Sequence, residues 1–309
     1  MTMLSPATQM QSGHGSVEIA RISAFMRGFS LEATRPSAAD IEALRKAAPA
    51  GTHVYLSAVP RQSLSSLCGH ALALRRAGFE PVPHLAARRI ADRGELDAFL
   101  ARIRAEASVR RVLVIAGDQD EVAGPFADAR DLIESGLLQK HQIAEIGLSG
   151  YPQGHPRIAP LALERALAAK AEAAEQSGLR VHIVTQFGFD PQAIRLWLLR
   201  LRDLGFEQPV RIGMAGPTDL ATLLRYAARC GVRASVGGAA RQAGLLRKLF
   251  GVSTPDAIVR GLAQAYGGGE VAAHFFSFGG VGAAARWAAA VEAGRITLDN
   301  GEGFSVAPP

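Results

Sequence analysis

Cysteine is nearly absent: Cys68 and Cys230 stand far apart with no CxxC spacing. That excludes a disulfide scaffold and gives no framework for a structural zinc, so both read as helix-packing residues. The eight histidines show no HxH or HExxH pairing, and a transition-metal site has no sequence support. No run of 18 or more apolar residues occurs, and Met1 to Ser16 lacks the basic-then-apolar profile of a secretory signal. The expectation is a soluble, cytoplasmic protein without membrane partners. Lysine is also scarce, with Lys46, Lys140, Lys170 and Lys248 the only four among 34 basic residues. The net charge is +6 and the pI near 9.8, yet the arginines are spread singly along helical stretches rather than gathered in a stripe. Nucleic acid is therefore not the expected partner, and a small anionic ligand makes better use of the positive balance.

What the chain does have is apolar content, 48% of 309 residues, enough for one large core or two small ones. Apolar runs of strand length recur, each followed by a stretch of helical periodicity, which is the pattern of a parallel sheet covered by helices. Eight strands are expected, over Phe29 to Thr34, His53 to Ala58, Glu80 to Ala86, Arg111 to Asp118, Glu145 to Tyr151, Arg180 to Phe187, Pro209 to Ala215 and Val271 to Phe278. Helices are expected over Ala38 to Ala47, Leu64 to Ala77, Leu96 to Ala105, Leu161 to Glu175, Pro191 to Leu204 and Leu220 to Cys230. Pro36-Ser37 and Asp190-Pro191 open two of them, and Gly78, Gly178, Gly205 and Gly231 stand just past C-terminal ends. Eight βα units of this spacing fit a (β/α)8 barrel, with a doubly wound open sheet as the rival. Residues 1–24 read as a flexible N-terminal tail and 25–309 as the barrel, with a helical insertion at 234–269 before the last strand, read as two helices around Ala240 to Phe250 and Pro255 to Ala265.

In such a barrel chemistry sits at the C-terminal ends of the strands, and nearly every strand offers a polar residue there: Glu32, Ser57, His84, Asp118, Tyr151 with His155, Gln186 and Ser277. Ile115-Ala116-Gly117-Asp118 closes a strand with a carboxylate behind a glycine, either a turn with a helix cap or a close approach to a ligand. Tyr151-Pro-Gln-Gly-His-Pro156 combines two fixed prolines with two flat side chains, a rigid loop or a cradle for an aromatic or phosphate-bearing ligand. Gln186 carries an amide that donates and accepts, costly to bury unless satisfied. A partly desolvated Glu32 would have a raised pKa and serve as a proton donor; the plainer reading is a cap or ion pair. Gly280-Val-Gly-Ala-Ala-Ala285 fits a G-x-G-x-x-A fingerprint, but too few residues follow Asp299 for a Rossmann half, so it reads as the last βα loop.

Taken in order, Phe29-Ser-Leu-Glu32, Val82-Pro-His84-Leu, Ala116-Gly-Asp118, Gly150-Tyr-Pro-Gln-Gly-His-Pro156, Thr185-Gln-Phe-Gly-Phe-Asp190 and His274-Phe-Phe276 resemble the motif series of the methylenetetrahydrofolate reductase family, over about residues 28 to 290. The resemblance implies a (β/α)8 barrel with non-covalent FAD. It also implies interconversion of 5,10-methylenetetrahydrofolate and 5-methyltetrahydrofolate, with NADH or NADPH as co-substrate. Glu32 then resembles the general acid that helps open the five-membered ring. Asp118 resembles the aspartate beside flavin and folate, Gln186 the amide that orients the pterin, and Tyr226 an aromatic that covers folate or nicotinamide. Ser57, His84, Ala116, Gly117, Asp118, Phe126, Tyr151, His155 and Lys170 resemble FAD contacts.

The departures are specific. Glu32 is followed by Ala-Thr rather than aromatics and prolines, Ser57 stands for Thr, Ala116 for an Arg and Gln153 for a Glu. An amide expected near Thr222 and a substrate-binding Arg expected near Gly280 are missing. The alternatives are a related enzyme run as a 5-methyltetrahydrofolate oxidase in demethylation catabolism, and a non-redox barrel that binds a pterin or passes on its methyl group. A homo-oligomer is left open.

Overall fold

The computed structural model describes residues 6–229, 252–265 and 270–307. Eight strands, β1 (Ser30–Ala33), β2 (His53–Leu56), β3 (Glu80–Ala86), β4 (Arg111–Ile115), β5 (Glu145–Gly150), β6 (Arg180–Thr185), β7 (Val210–Ala215) and β8 (Val271–Phe276), form a closed parallel barrel. Pairing of Ser30 with His274 and Glu32 with Phe276 shuts the cylinder between β1 and β8. This is a (β/α)8 barrel, and the open-sheet rival is excluded. Strand alternation sorts side chains into two populations. Leu31, Val54, Leu56, Leu85, Val112, Val114, Ile146, Leu148, Ile183, Ile212, Met214 and Phe275 point outward into the main core under the helices. Inside the barrel, Tyr55, Val82, Leu113 and Val184 form a separate small cluster with Ile115 against it.

The helices begin and end where their caps dictate. Ser37 caps Ala38–Ala47 in a full capping box with Asp40, and Asp190 caps Pro191–Asp203 by accepting from the Gln192 and Ala193 amides. The last helix, Val281–Glu292, lies close against Ala38–Ala47 because Gly282 has no side chain; a Cβ there would sit 2.7 Å from that of Ala43. The fingerprint glycines thus serve packing and the last βα loop of the barrel.

Residues 1–24 are not a loose tail over the part described. Pro6–Met26 is a helix that packs against Asp256–Ala265 and Val281–Glu292, with Ile22 and Met26 fully buried. Burying those two side chains is worth on the order of 3 to 5 kcal/mol of transfer free energy, ample to hold the segment down. Of the helical insertion expected at 234–269, the helix around Pro255 to Ala265 is present as Asp256–Ala265, preceded by a short strand, Val252–Ser253, paired with Thr218–Asp219. The helix expected around Ala240 to Phe250 and the cap at Gly231 lie outside the described residues. Among the described residues no helix is long and apolar enough to cross a membrane.

Candidate active site

Glu32 lies one residue before the end of β1, with its side chain turned into the barrel mouth and 13% exposed. The Ser57 hydroxyl donates to its Oε1 at 2.6 Å, and the Thr34 hydroxyl lies 3.0 Å from Ser57 Oγ. Since Ser57 spends its proton on the carboxylate, Thr34 must be the donor to Ser57. The other oxygen, Oε2, faces two buried imidazoles, His274 Nε2 at 3.5 Å and His84 Nε2 at 3.8 Å. Ser30 Oγ holds His274 from behind at Nδ1, 2.9 Å away. Burial pushes both imidazoles down, toward the neutral form. At Glu32 burial acts to raise the carboxyl, but the attraction of His84 and His274 and the Ser57 hydrogen bond outweigh it and hold the group below the ordinary carboxylate range. The expected raised pKa is therefore corrected: desolvation is present, and the donors around the carboxylate win.

A cavity of about 720 Å³ opens above this group. Glu32, Ser57, Asp118 and Tyr226, contributed by four separate segments, all line it. One wall is aromatic. Tyr226 stacks on Phe278 at 4.1 Å and 11°, and Phe278 in turn meets Phe187 and Phe276 at 5.1 and 5.8 Å. Asp118 sits beyond a tight turn: Gly117 has φ 100, and the Ala116 carbonyl accepts from the Arg88 amide at 2.9 Å. Arg89 pairs with the Asp118 carboxylate, while Arg88 fastens the same loop through the carbonyls of Gln119 and Ala127 at 2.9 and 2.8 Å.

The remaining expected residues are spread more widely. Gln186 lies beside Pro152, Gln153 and Gly154 rather than in the Glu32 cavity, and its amide oxygen accepts from the Phe187 backbone at 3.1 Å. Gln153 accepts from the Phe189 amide at 2.9 Å and so ties the loops after β5 and β6 together. Tyr151 and His155 meet edge to face at 5.3 Å, and burial pushes the Tyr151 phenol up. Burial pushes the Lys170 ammonium down, against the pull of Asp128. Phe126 is 3% exposed and belongs to the main core, so its side chain packs the fold instead of facing a cavity.

Below the mouth the barrel interior is polar, which the strand pattern alone does not announce. Arg111 grips Glu145 with two hydrogen bonds of 2.8 and 2.7 Å, and His182 Nδ1 approaches the same carboxylate at 2.8 Å. Burial would raise Glu145, yet the hydrogen bonds from His182 and Arg111 outweigh it and hold the carboxyl far below its usual range. Burial keeps His182 neutral. Its proton is then on Nδ1, facing an acceptor-only carboxylate, and Nε2 accepts from the Tyr55 hydroxyl at 2.7 Å. His53 lies between Arg111 and Arg211, with Arg211 at 3.0 Å. His53 and Tyr55 stand at i, i+2 on β2, the period of one strand face, while Arg111, Glu145, His182 and Arg211 come singly from β4, β5, β6 and β7.

The sequence matches the family model described as methylenetetrahydrofolate reductase over residues 33–236, about two thirds of the chain. The chain belongs to the methylenetetrahydrofolate reductase family. It is accordingly an oxidoreductase of the folate-linked class, in a family that is generally flavin-dependent. The family match covers Ser57, His84, Asp118, Gln186 and Tyr226; Glu32 stands immediately before it and His274 beyond it.

Proposed function

We propose that this protein interconverts 5,10-methylenetetrahydrofolate and 5-methyltetrahydrofolate by hydride transfer through non-covalently bound FAD, with NADH or NADPH as electron partner. The observation that carries the reading is the meeting of Glu32, Asp118 and an aromatic wall in one cavity at the C-terminal mouth of the barrel. Two further observations support a flavin at that mouth. Ser277 Oγ, on the cavity lining, is buried with no hydrogen-bond partner among the described residues. The Ala116-Gly117-Asp118 turn brings bare backbone to the strand ends. Ser57, His84, Tyr151, His155 and Lys170 would hold the cofactor, which when bound supplies the hydride exchange.

Glu32 handles the proton. Opening the five-membered ring requires a proton on the departing amine nitrogen, and closing it requires removal of that same proton. Ser57 and the two histidines fix the carboxylate that gives or takes it. Phe276, Phe278 and Tyr226 keep water from one side of the ring, and Asp118 places negative charge where a cationic folate intermediate gains from it.

In the oxidative direction Glu32 takes the proton released as the five-membered ring closes. Glu32 is held as a carboxylate, the form that accepts the proton when the ring closes. The test is to release the chromophore from purified protein, compare it with FAD and FMN, and mix the holoprotein anaerobically with 5-methyltetrahydrofolate. FAD that bleaches on mixing supports the reading; no flavin even after incubation with excess FAD overturns it.

A further inference from the structure

The cavity at the barrel mouth is lined by three carboxylates, Glu32, Asp40 and Asp118, and by one cation among its described lining residues, Arg35. Each carboxylate is already engaged. Ser57 donates to Glu32, the Ser37 amide and hydroxyl donate to Asp40 at 2.9 and 2.7 Å, and Arg89 pairs with Asp118. Arg35 is different. Its Nη2 donates to the Pro60 carbonyl at 2.7 Å, which spends one of five N–H donors, and no carboxylate of the described residues pairs with it.

Its placement is also built. Arg35 has φ 48, a left-handed backbone unusual for a residue with a side chain, between β1 and the capped helix start at Ser37. The bond to Pro60 joins the loop after β1 to the loop after β2, so the guanidinium is held at the exposed rim while Glu32, three residues earlier, lies at the cavity floor. Gly280 is also on the rim, and it has no side chain to offer. A ligand whose ring reaches Glu32 and whose far end is anionic meets, among the described lining residues, the Arg35 guanidinium on its way out.

We propose that Arg35 receives the carboxylate-bearing tail of the folate substrate and is thereby a specificity-determining residue for it. The assignment rests on the folate reading above, and deepens it by separating ring recognition at the floor from tail recognition at the rim. One charge-assisted hydrogen bond at a solvent-exposed rim is worth about tenfold in affinity.

The experiment is anaerobic calorimetric binding of two ligands to the holoprotein with its flavin reduced beforehand, so that no hydride transfer follows: 5-methyltetrahydrofolate, and 5,6-dimethyltetrahydropterin, which has the same ring and no carboxylates. Arg35→Ala is expected to weaken the first about tenfold and leave the second unchanged. Arg35→Gln, which can still bond Pro60, is expected to behave like the alanine variant, and Arg35→Lys to recover part of the loss. Raising salt should weaken 5-methyltetrahydrofolate binding in the unaltered protein and hardly at all in Arg35→Ala. Equal loss for both ligands, or no loss for either, overturns the role of Arg35 alone. Failure of the unaltered protein to bind either ligand overturns the folate reading itself, and Arg35 with it.

Discussion

Arg89 and Asp118 form an ion pair across two barrel-mouth loops in which the cation is the buried partner, 17% exposed, and the carboxylate the presented one, 64% exposed. The pair sets two opposed charges at the place proposed for the flavin. Removing either should move the flavin in a different direction. Asp118→Asn is expected to raise the reduction potential and Arg89→Gln to lower it, each by roughly 20 to 60 mV, with about 30 mV corresponding to 1.4 kcal/mol for a two-electron couple. Dye-equilibration titration reads both, and a shift of the same sign in the two variants would reduce the pair to a loop clasp.

Glu32→Gln keeps the shape of the side chain and the approach of Ser57 while removing proton transfer. Reduction of the flavin by a nicotinamide nucleotide needs no acid and should survive, whereas the folate half-reaction should fall about 100-fold or more. Anaerobic stopped flow follows the two separately. Equal loss in both would mean damaged flavin binding.

Tyr226 can be tested through its stack on Phe278. An aromatic contact contributes about 0.5 to 1.5 kcal/mol, so Tyr226→Leu is expected to raise KM for the folate roughly 2- to 12-fold with kcat little changed. Tyr226→Phe should be near neutral. A large fall in kcat with unchanged KM would assign Tyr226 to the reaction instead of to binding.

The buried imidazoles predict acid sensitivity. Burial, with Arg111 and Arg211 beside it, pushes His53 down to about 3, and burial also lowers His84, His182 and His274. Each is neutral when folded and takes up a proton below about 6.5 when unfolded, so the unfolded state binds more protons and stability falls as pH drops through that value. Glu145, depressed in the folded state, adds a loss of the same sign below about pH 4.5. Thermal melts from pH 8 to 5 should show a falling Tm. His53→Asn should flatten the slope, and an unchanged slope would mean that His53 is protonated in the folded barrel.

Strand β3 and the helix Ala38–Ala47 were legible to the residue, because Gly78, Phe79 and the Pro36-Ser37 cap mark their ends chemically. The fourth strand stops at Ile115, three residues short of the expected Asp118. Its apolar run continues to Ala116, but the Ala116 carbonyl turns aside to Arg88 and Gly117 takes a positive φ. The N-terminal helix was illegible since Gly13 and Gly15 weaken its local signal and only tertiary burial of Ile22 and Met26 reveals it. At the cavity, Glu32, Ser57 and Asp118 stand at or just past strand ends, where a sequence reading looks for polar residues, whereas Tyr226 lies within the helix Leu220–Arg229 and is pointed to only by the resemblance. His182, Tyr55, Glu145 and Arg111 were missed because each lies within a strand, where the surrounding apolar residues mask a polar inner face.

Gly280 leaves its mark on what the protein can become. With φ 101 and ψ 137 it occupies backbone territory that is essentially glycine's own, although open space surrounds the position a Cβ would take. A long cationic side chain could fit there, but the chain path could not carry it without relaxing the turn that opens the last helix. Placing an arginine at this rim is therefore not a single-codon change, since the loop would have to be rebuilt together with the residue. A chain whose tail-binding cation sits on the opposite loop, as proposed for Arg35, finds this position closed to a second one by conformation, whatever selection asks of the substrate.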